Sequence, residues 1–224
     1  MYQAILFDLD GTLIDSADDL GAALNHVLKQ NNKETVCAKR YRTQASNGTI
    51  ALLKLGFGSE WESFDRQKQD NLKQSFLNFY RENLWCKSRF YEGIKPLIML
   101  LDDKQIPWSI VTNKPAHLTA PLIAQIPEFK SCQNVVSGDT LEKAKPYPDP
   151  LLHSCRLMNV DPAHCLYVGD DERDIIAGNS ATMKTAAAKW GYLNGNDVLS
   201  WQFHFSFDSP WLLLNHISSC TDKK

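Results

Sequence analysis

No apolar run in the sequence approaches the roughly 18 residues that a membrane-spanning helix needs. The opening Met-Tyr-Gln-Ala-Ile-Leu-Phe-Asp-Leu-Asp carries no basic segment ahead of its short apolar stretch. The expectation is a chain with neither a membrane anchor nor a secretory leader. Neither sign of charge dominates, since 24 Lys and Arg stand against 26 Asp and Glu for a formal charge of -2. Without a global positive field to hold nucleic acid or anionic lipid, neither is an expected partner, and any anionic ligand must be held by local charge or metal. The cysteines, Cys37, Cys86, Cys132, Cys155, Cys165 and Cys220, include no CxxC or other close pair. They read as reduced cytoplasmic thiols rather than a disulfide frame or zinc site. His26, His117, His153, His164, His204 and His216 share no metal-ligand spacing and read as structural or solvated. Internal repeats and low-complexity segments are also missing.

What remains is ordinary globular composition, 224 residues with 43% hydrophobic and 22% charged side chains, enough for one large domain or a core with a small insert. Ala4 to Phe7 is an apolar run without helical period that stops at Asp8-Leu9-Asp10-Gly11-Thr12, the pattern of a buried strand entering a turn. From Ser16 to Gln30, Leu20, Leu24, Val27 and Leu28 fall at helical spacing behind Ser16 as N-cap and Asp18 and Asp19 as an acidic first turn. A second helix is expected from about Glu60 to Leu84 with Leu72, Phe76, Phe79 and Tyr80 as its stripe, and Ser46-Asn47-Gly48-Thr49 between them reads as a turn.

After Tyr91-Glu92-Gly93 the texture alternates. Helices are expected near 94–103, 115–125, 150–159 and 172–179, and strands near 106–111, 134–136, 165–168 and 183–188. Alternation of this kind with near-continuous apolar strands predicts an α/β fold, a Rossmann-like parallel-sheet core covered on both faces. Residues 1–14 and 89–224 would form that core, and 15–88 a helical insert far longer than an ordinary loop. The tail from about Ser200 is weakly patterned.

In such a sheet ligands sit outside the carboxyl ends of the strands. Four polar clusters fall there: Asp8 through Thr12, Thr112-Asn113-Lys114, Lys145-Pro146-Tyr147-Pro148, and Gly169 through Asp174. Asp8 and Asp10, two residues apart in extended chain, point the same way, and carboxylates that close need a proton, a hydrogen bond or a cation. Asp170 and Asp171 add hard oxygen ligands suited to Mg²⁺. The set points to phosphoryl chemistry. Asp8 is the candidate nucleophile and Asp10 the candidate acid that protonates the leaving alkoxide and then deprotonates water. Gly11 would let backbone N–H groups approach an anion, Thr112 would bind phosphate oxygens, and Lys145 would neutralise developing charge.

These residues resemble the haloacid dehalogenase superfamily, specifically its phosphoglycolate phosphatase-like branch with a helical cap. Phe7-Asp8-Leu9-Asp10-Gly11-Thr12-Leu13, Val111-Thr112-Asn113-Lys114, Lys145-Pro146-x-Pro148 and Val168-Gly169-Asp170-Asp171 through Asp174 are similar to its four motifs, in order. The resemblance implies a phosphatase with Asp8 as nucleophile, Asp10 as acid and base, and Thr112 and Lys145 as stabilisers of phosphate and intermediate. It further implies Mg²⁺ on the Asp8 carboxylate, the Asp10 backbone carbonyl and Asp170, with Asp171 and Asp174 behind them. Gly11, Thr12 and Asn113 are the implied substrate contacts of the core. In the cap, Asn47 and Gly48 are candidate specificity positions. The implied partner is a small phosphorylated metabolite. The stretches around Trp108 to Pro115 and Gly169 to Tyr192 look especially like relatives that act on N-acetylmuramic acid 6-phosphate. Both that substrate and 2-phosphoglycolate stand open at this point, as do a phosphosugar mutase of the same fold and a non-hydrolytic phospho-acceptor domain.

Overall fold

The computed structural model describes residues 2–193 and 198–221. The chain divides into two compact units, Asp15–Arg89 and Met1–Ile14 with Phe90–Lys224.

The first of these is helical. Its α1 (Ala17–Gln30) buries Leu20, Leu24, Val27 and Leu28 on one face, as their spacing requires. Ser16 occupies the N-cap position yet makes no side-chain cap bond, contrary to expectation. Asp19, in the first turn, instead accepts the backbone N–H groups of Lys87 at 2.8 Å and Ser88 at 3.0 Å. A short α2 (Ala38–Tyr41) leads through a 3-10 segment, Arg42–Asn47, into α3 (Gly48–Phe57). Asn47 and Gly48 therefore stand at a helical junction rather than in an open turn, with Gly48 at φ 78°. The last helix, α4 (Arg66–Glu82), begins later than its periodicity suggested. Asp65 caps it by accepting the Lys68 N–H at 2.7 Å, and the preceding Gly58–Ser63 forms a separate 3-10 turn that buries Trp61. Leu72, Phe76 and Tyr80 are buried, whereas Phe79 lies half-buried against the His26 ring at 4.2 Å between centroids.

The second unit is built on a parallel sheet. Its strands are β1 (Ala4–Phe7), β2 (Trp108–Val111), β3 (Val135–Val136), β4 (Cys165–Gly169), β5 (Lys184–Ala188) and β6 (Phe205–Phe207). They lie in the order β3-β2-β1-β4-β5-β6, every pairing parallel. The helices α5 (Ile94–Asp103), α6 (Ala116–Ile123), α7 (Asp149–Met158), α8 (Glu172–Ser180) and α9 (Pro210–Thr221) complete it. All residues of β1, β2 and β4 are buried, which is why these strands read as continuous apolar runs instead of alternating. Leu6, Val111, Val136, Leu151, Tyr167 and Met183 belong to one core cluster.

Strand β2 starts two residues later than expected. The Ile106 N–H closes the end of α5 on Leu101 O at 2.8 Å, and Pro107 has no N–H to offer a ladder. The weakly patterned tail supplies β6 and α9. His216 of α9 packs on the Phe205 and Phe207 rings and meets the Tyr2 hydroxyl at 2.9 Å. No described helix is long and apolar enough to cross a membrane.

Because β1 is flanked by β2 on one side and β4 on the other, the strand order reverses there. The crevice beyond the carboxyl ends of β1 and β4 is where an open α/β sheet offers a ligand site.

Candidate active site

Asp8 follows the last residue of β1, and its N–H donates to Val168 O of β4 at 2.9 Å, which continues the ladder into the site. Lys145 reaches the same point from the loop before α7. Its ammonium is buried, with four acceptors in reach of its three hydrogens: Asp8 Oδ1 at 2.8 Å, Asp174 Oδ1 at 2.6 Å, the Tyr167 hydroxyl at 2.8 Å and Val111 O at 3.0 Å. Burial opposes the lysine's charge, but Asp174 and Asp8 outweigh it and its pKa is raised. Asp170, at the end of β4, is almost fully buried; its Oδ1 accepts from Thr12 Oγ1 at 3.0 Å and its Oδ2 from the Tyr192 N–H at 2.8 Å.

Asp8, Asp170 and Asp174 each place a carboxylate oxygen within 4.8 Å of the others. Burial pushes the Asp8 carboxyl up to about 6, against the opposing Lys145 ammonium and with added repulsion from Asp174. Burial, Asp8 and Asp174 together push Asp170 well above the ordinary carboxylate range. Three buried carboxylates against one ammonium leave an excess of two formal negative charges, and hard oxygen donors carrying that excess fit a divalent cation such as Mg²⁺. Both oxygens of Asp174, like those of Asp170, already accept hydrogen bonds. Asp174 Oδ1 faces Lys145 and the Tyr167 hydroxyl, and its Oδ2 accepts the Asp171 N–H at 3.1 Å.

The family model of haloacid dehalogenase-like hydrolases matches residues 5–188, which contain all of these side chains. The chain belongs to the haloacid dehalogenase-like hydrolase family. Among relatives of this hydrolase, a phosphoglycolate phosphatase of Xanthomonas campestris pv. campestris is 36% identical over 209 residues, 93% of each chain. An N-acetylmuramic acid 6-phosphate phosphatase of Pseudomonas aeruginosa is 35% identical over 195 residues, covering 87% of this chain and 85% of the relative. A crystal structure described as a predicted phosphoglycolate phosphatase from Haemophilus somnus 129PT superimposes with a TM-score of 0.87 at 26% identity, over 96% of this chain and 98% of that one. The protein is thus a phosphatase-like member of the haloacid dehalogenase-like hydrolases, similar to phosphoglycolate phosphatases and N-acetylmuramic acid 6-phosphate phosphatases.

The remaining residues singled out in the hydrolase sequence fall into place less uniformly. Thr112 lies at the end of β2, and its Oγ1 accepts the Lys114 N–H at 3.2 Å. The Asn113 side chain is engaged by the lysine loop. Its amide clasps the backbone of Lys145, donating to the carbonyl at 2.9 Å and accepting the N–H at 3.1 Å, so it braces the lysine loop. Thr12 is fully buried under Asp170, and its own carbonyl accepts the Trp190 indole N–H at 2.9 Å. The Gly11 N–H donates to Ile14 O at 2.8 Å, so this amide is not offered to an anion; the glycine is needed because Asp170 packs where a side chain would begin.

Asp171 caps α8 in a capping box with Asp174. Its carboxylate is clasped by Arg173, Nε to Oδ1 and Nη2 to Oδ2, both at 2.8 Å. Burial alone would raise its pKa, but Arg173 holds it below the ordinary range. That carboxylate shapes the helix start. Asn47 and Gly48 lie in the helical unit, at the junction already described.

Three contributors escaped the sequence reading. The Tyr167 hydroxyl lies 3.0 Å from both Val111 O and Asp174 Oδ1, either of which can take its single hydrogen, and it accepts from Lys145, a role that a tyrosine inside an apolar strand does not announce. The Tyr192 backbone N–H carries no side-chain signal at all. Lys114 pairs with Asp10, its Nζ 3.2 Å from Oδ1 and 3.1 Å from Oδ2. Lys114 belongs to the Thr112-Asn113-Lys114 cluster, but nothing in the sequence gives it a role of its own, and its burial marks it out.

Proposed function

We propose that this hydrolase is a Mg²⁺-dependent phosphomonoesterase acting on a small phosphorylated metabolite through an aspartyl-phosphate. The observation that carries this reading is the Asp8 carboxylate at the β1 end, held by the Lys145 ammonium at 2.8 Å beside the buried Asp170. The Asp8 carboxylate, the Asp10 backbone carbonyl and Asp170 are the proposed holders of the cation, which when bound would offset charge on the phosphoryl oxygens.

In the first half-reaction an Asp8 carboxylate oxygen attacks phosphorus and the bond to the leaving oxygen breaks. Asp10 gives that oxygen a proton, so the alcohol departs neutral. In the second, Asp10 takes a proton from water as the water oxygen attacks phosphorus. The acyl-phosphate bond breaks, inorganic phosphate leaves and the Asp8 carboxylate is restored. Lys145 remains charged throughout, fixed by Asp174 and the Tyr167 hydroxyl, and opposes the charge that gathers on the transferring group. Thr112 accepts from the Lys114 N–H, which leaves its hydroxyl hydrogen to donate to a phosphoryl oxygen. The helical unit is assigned the cap role, with Asn47 and Gly48 as its specificity positions.

Two substrates named by the relatives, 2-phosphoglycolate and N-acetylmuramic acid 6-phosphate, are both phosphomonoesters that also carry a carboxylate. The test is phosphate release from these two and from common sugar phosphates, with and without Mg²⁺, with Asp8→Asn as control. Mg²⁺-dependent release that favours one of them and is abolished in Asp8→Asn is the expected result. Metal-independent release, or an isomerised sugar phosphate without free phosphate, overturns the reading, the latter in favour of a mutase.

A further inference from the structure

Lys114 and Asp10 lie 104 residues apart in sequence and meet as a nearly buried ion pair, with side-chain exposures of 6% and 16%. The ammonium faces both carboxylate oxygens at nearly equal distance, 3.2 and 3.1 Å, which fixes the plane of the carboxylate as well as its position. Both ends of the pair are anchored. The Lys114 carbonyl accepts the Gly138 N–H at 3.0 Å and the Thr119 hydroxyl at 3.1 Å, and its N–H bonds Thr112. Asp10 pairs with Ile14 in an isolated bridge, closed by the Gly11 N–H on Ile14 O. An ammonium so nearly withdrawn from water is costly unless paired, and here its partner is the group to which the proposed reaction assigns both proton transfers.

We propose that Lys114 is a positioning residue that aims the Asp10 carboxyl at the leaving-group oxygen. The inference rests on the acid and base role given to Asp10 above. Lys114 contacts neither phosphorus nor the leaving group in this scheme; it acts through Asp10. A misplacement of about 1 Å costs on the order of 100-fold in rate, so loss of the ammonium registers in turnover and not in substrate binding.

The test uses the full chain with Mg²⁺ and the preferred phosphomonoester, comparing Lys114→Met, Lys114→Arg, Asp10→Asn and the double variant Lys114→Met/Asp10→Asn. Expected are a fall of about 10- to 100-fold in kcat for Lys114→Met with KM nearly unchanged, and partial recovery in Lys114→Arg, which keeps the charge. In the Asp10→Asn background, Lys114→Met adds little further loss, the non-additivity of groups that work as one. The burst of nitrophenolate from 4-nitrophenyl phosphate, whose leaving group needs no proton, is spared in Lys114→Met while the first step on the alkyl ester slows.

Full loss that adds independently to that of Asp10→Asn, or a rise in KM alone, overturns the proposal and makes Lys114 a direct phosphate contact. Unchanged kcat in Lys114→Met overturns it as well, while loss of activity in Asp8→Asn and Asp10→Asn leaves the phosphatase reading standing. Full activity in Asp10→Asn brings down that reading first, and the positioning role with it. Should Lys114→Met not fold, Lys114→Gln at the same position provides the comparison.

Discussion

A β-carbon placed on Gly11 would lie 2.1 Å from Asp170 Oδ2, well inside any real contact. Gly11 also has φ +91°, a conformation that side chains rarely adopt. The glycine of the first motif is thus a space reserved for a carboxylate of the fourth, because β1 and β4 are neighbours.

Gly11→Ala should therefore displace Asp170 rather than merely stiffen a turn. The expected outcome is loss of Mg²⁺ binding by titration calorimetry, a fall in turnover of at least about 100-fold, and destabilisation of about 1 kcal/mol or more from the positive φ. Wild-type Mg²⁺ affinity in a folded Gly11→Ala protein would separate the glycine from the proposed cation site.

Metal should stabilise the protein in a pH-dependent way. Asp8 is raised from 3.8 to about 6 and Asp170 is raised further above its ordinary value, chiefly by burial. A carboxyl whose folded pKa exceeds its unfolded one takes up a proton on folding, so the metal-free protein loses stability as pH rises from about 3.8 through 6 and beyond. A cation compensates the charge that appears. Thermal unfolding should show a larger rise in Tm on adding Mg²⁺ at about pH 8 than at about pH 5; equal shifts at both would contradict the assignment of the cation to this cluster.

Asp171 should prove structural. With Arg173 on both of its oxygens and the start of α8 resting on it, Asp171→Ala is expected to cost about 1 kcal/mol in urea denaturation, the worth of a helix cap. Mg²⁺ affinity should change by no more than about threefold, under 1 kcal/mol. A tenfold or greater loss of affinity would make Asp171 part of the metal environment after all.

Much of the site was legible because its residues are polar interruptions at the ends of apolar strands, where charge demands a reason. Asp8, Thr112, Lys145 and Asp170 could be placed at one sheet edge from that pattern and parallel topology alone. Finer roles were not legible, since they depend on which partner consumes each polar atom. Asn113 and Thr12 have the chemistry of substrate contacts, yet one spends its amide on the Lys145 backbone and the other its hydroxyl on Asp170. Local signals failed similarly at Ser16, whose capping oxygen goes unused in that role, and in the tail, where β6 has too few residues for a period.

Sequence by itself determined the parallel α/β core, the helical insert and the four clusters at the strand ends, because hydrophobic period and the cost of burying charge are local properties of the chain. Tertiary structure decided the pairings. Strand order brought Gly11 under Asp170, enclosed Lys145 with Tyr167 and Asp174, and set Lys114 against Asp10. Each of these contacts joins segments that neither periodicity nor spacing relates, and burial away from water gives their charges the strength to matter.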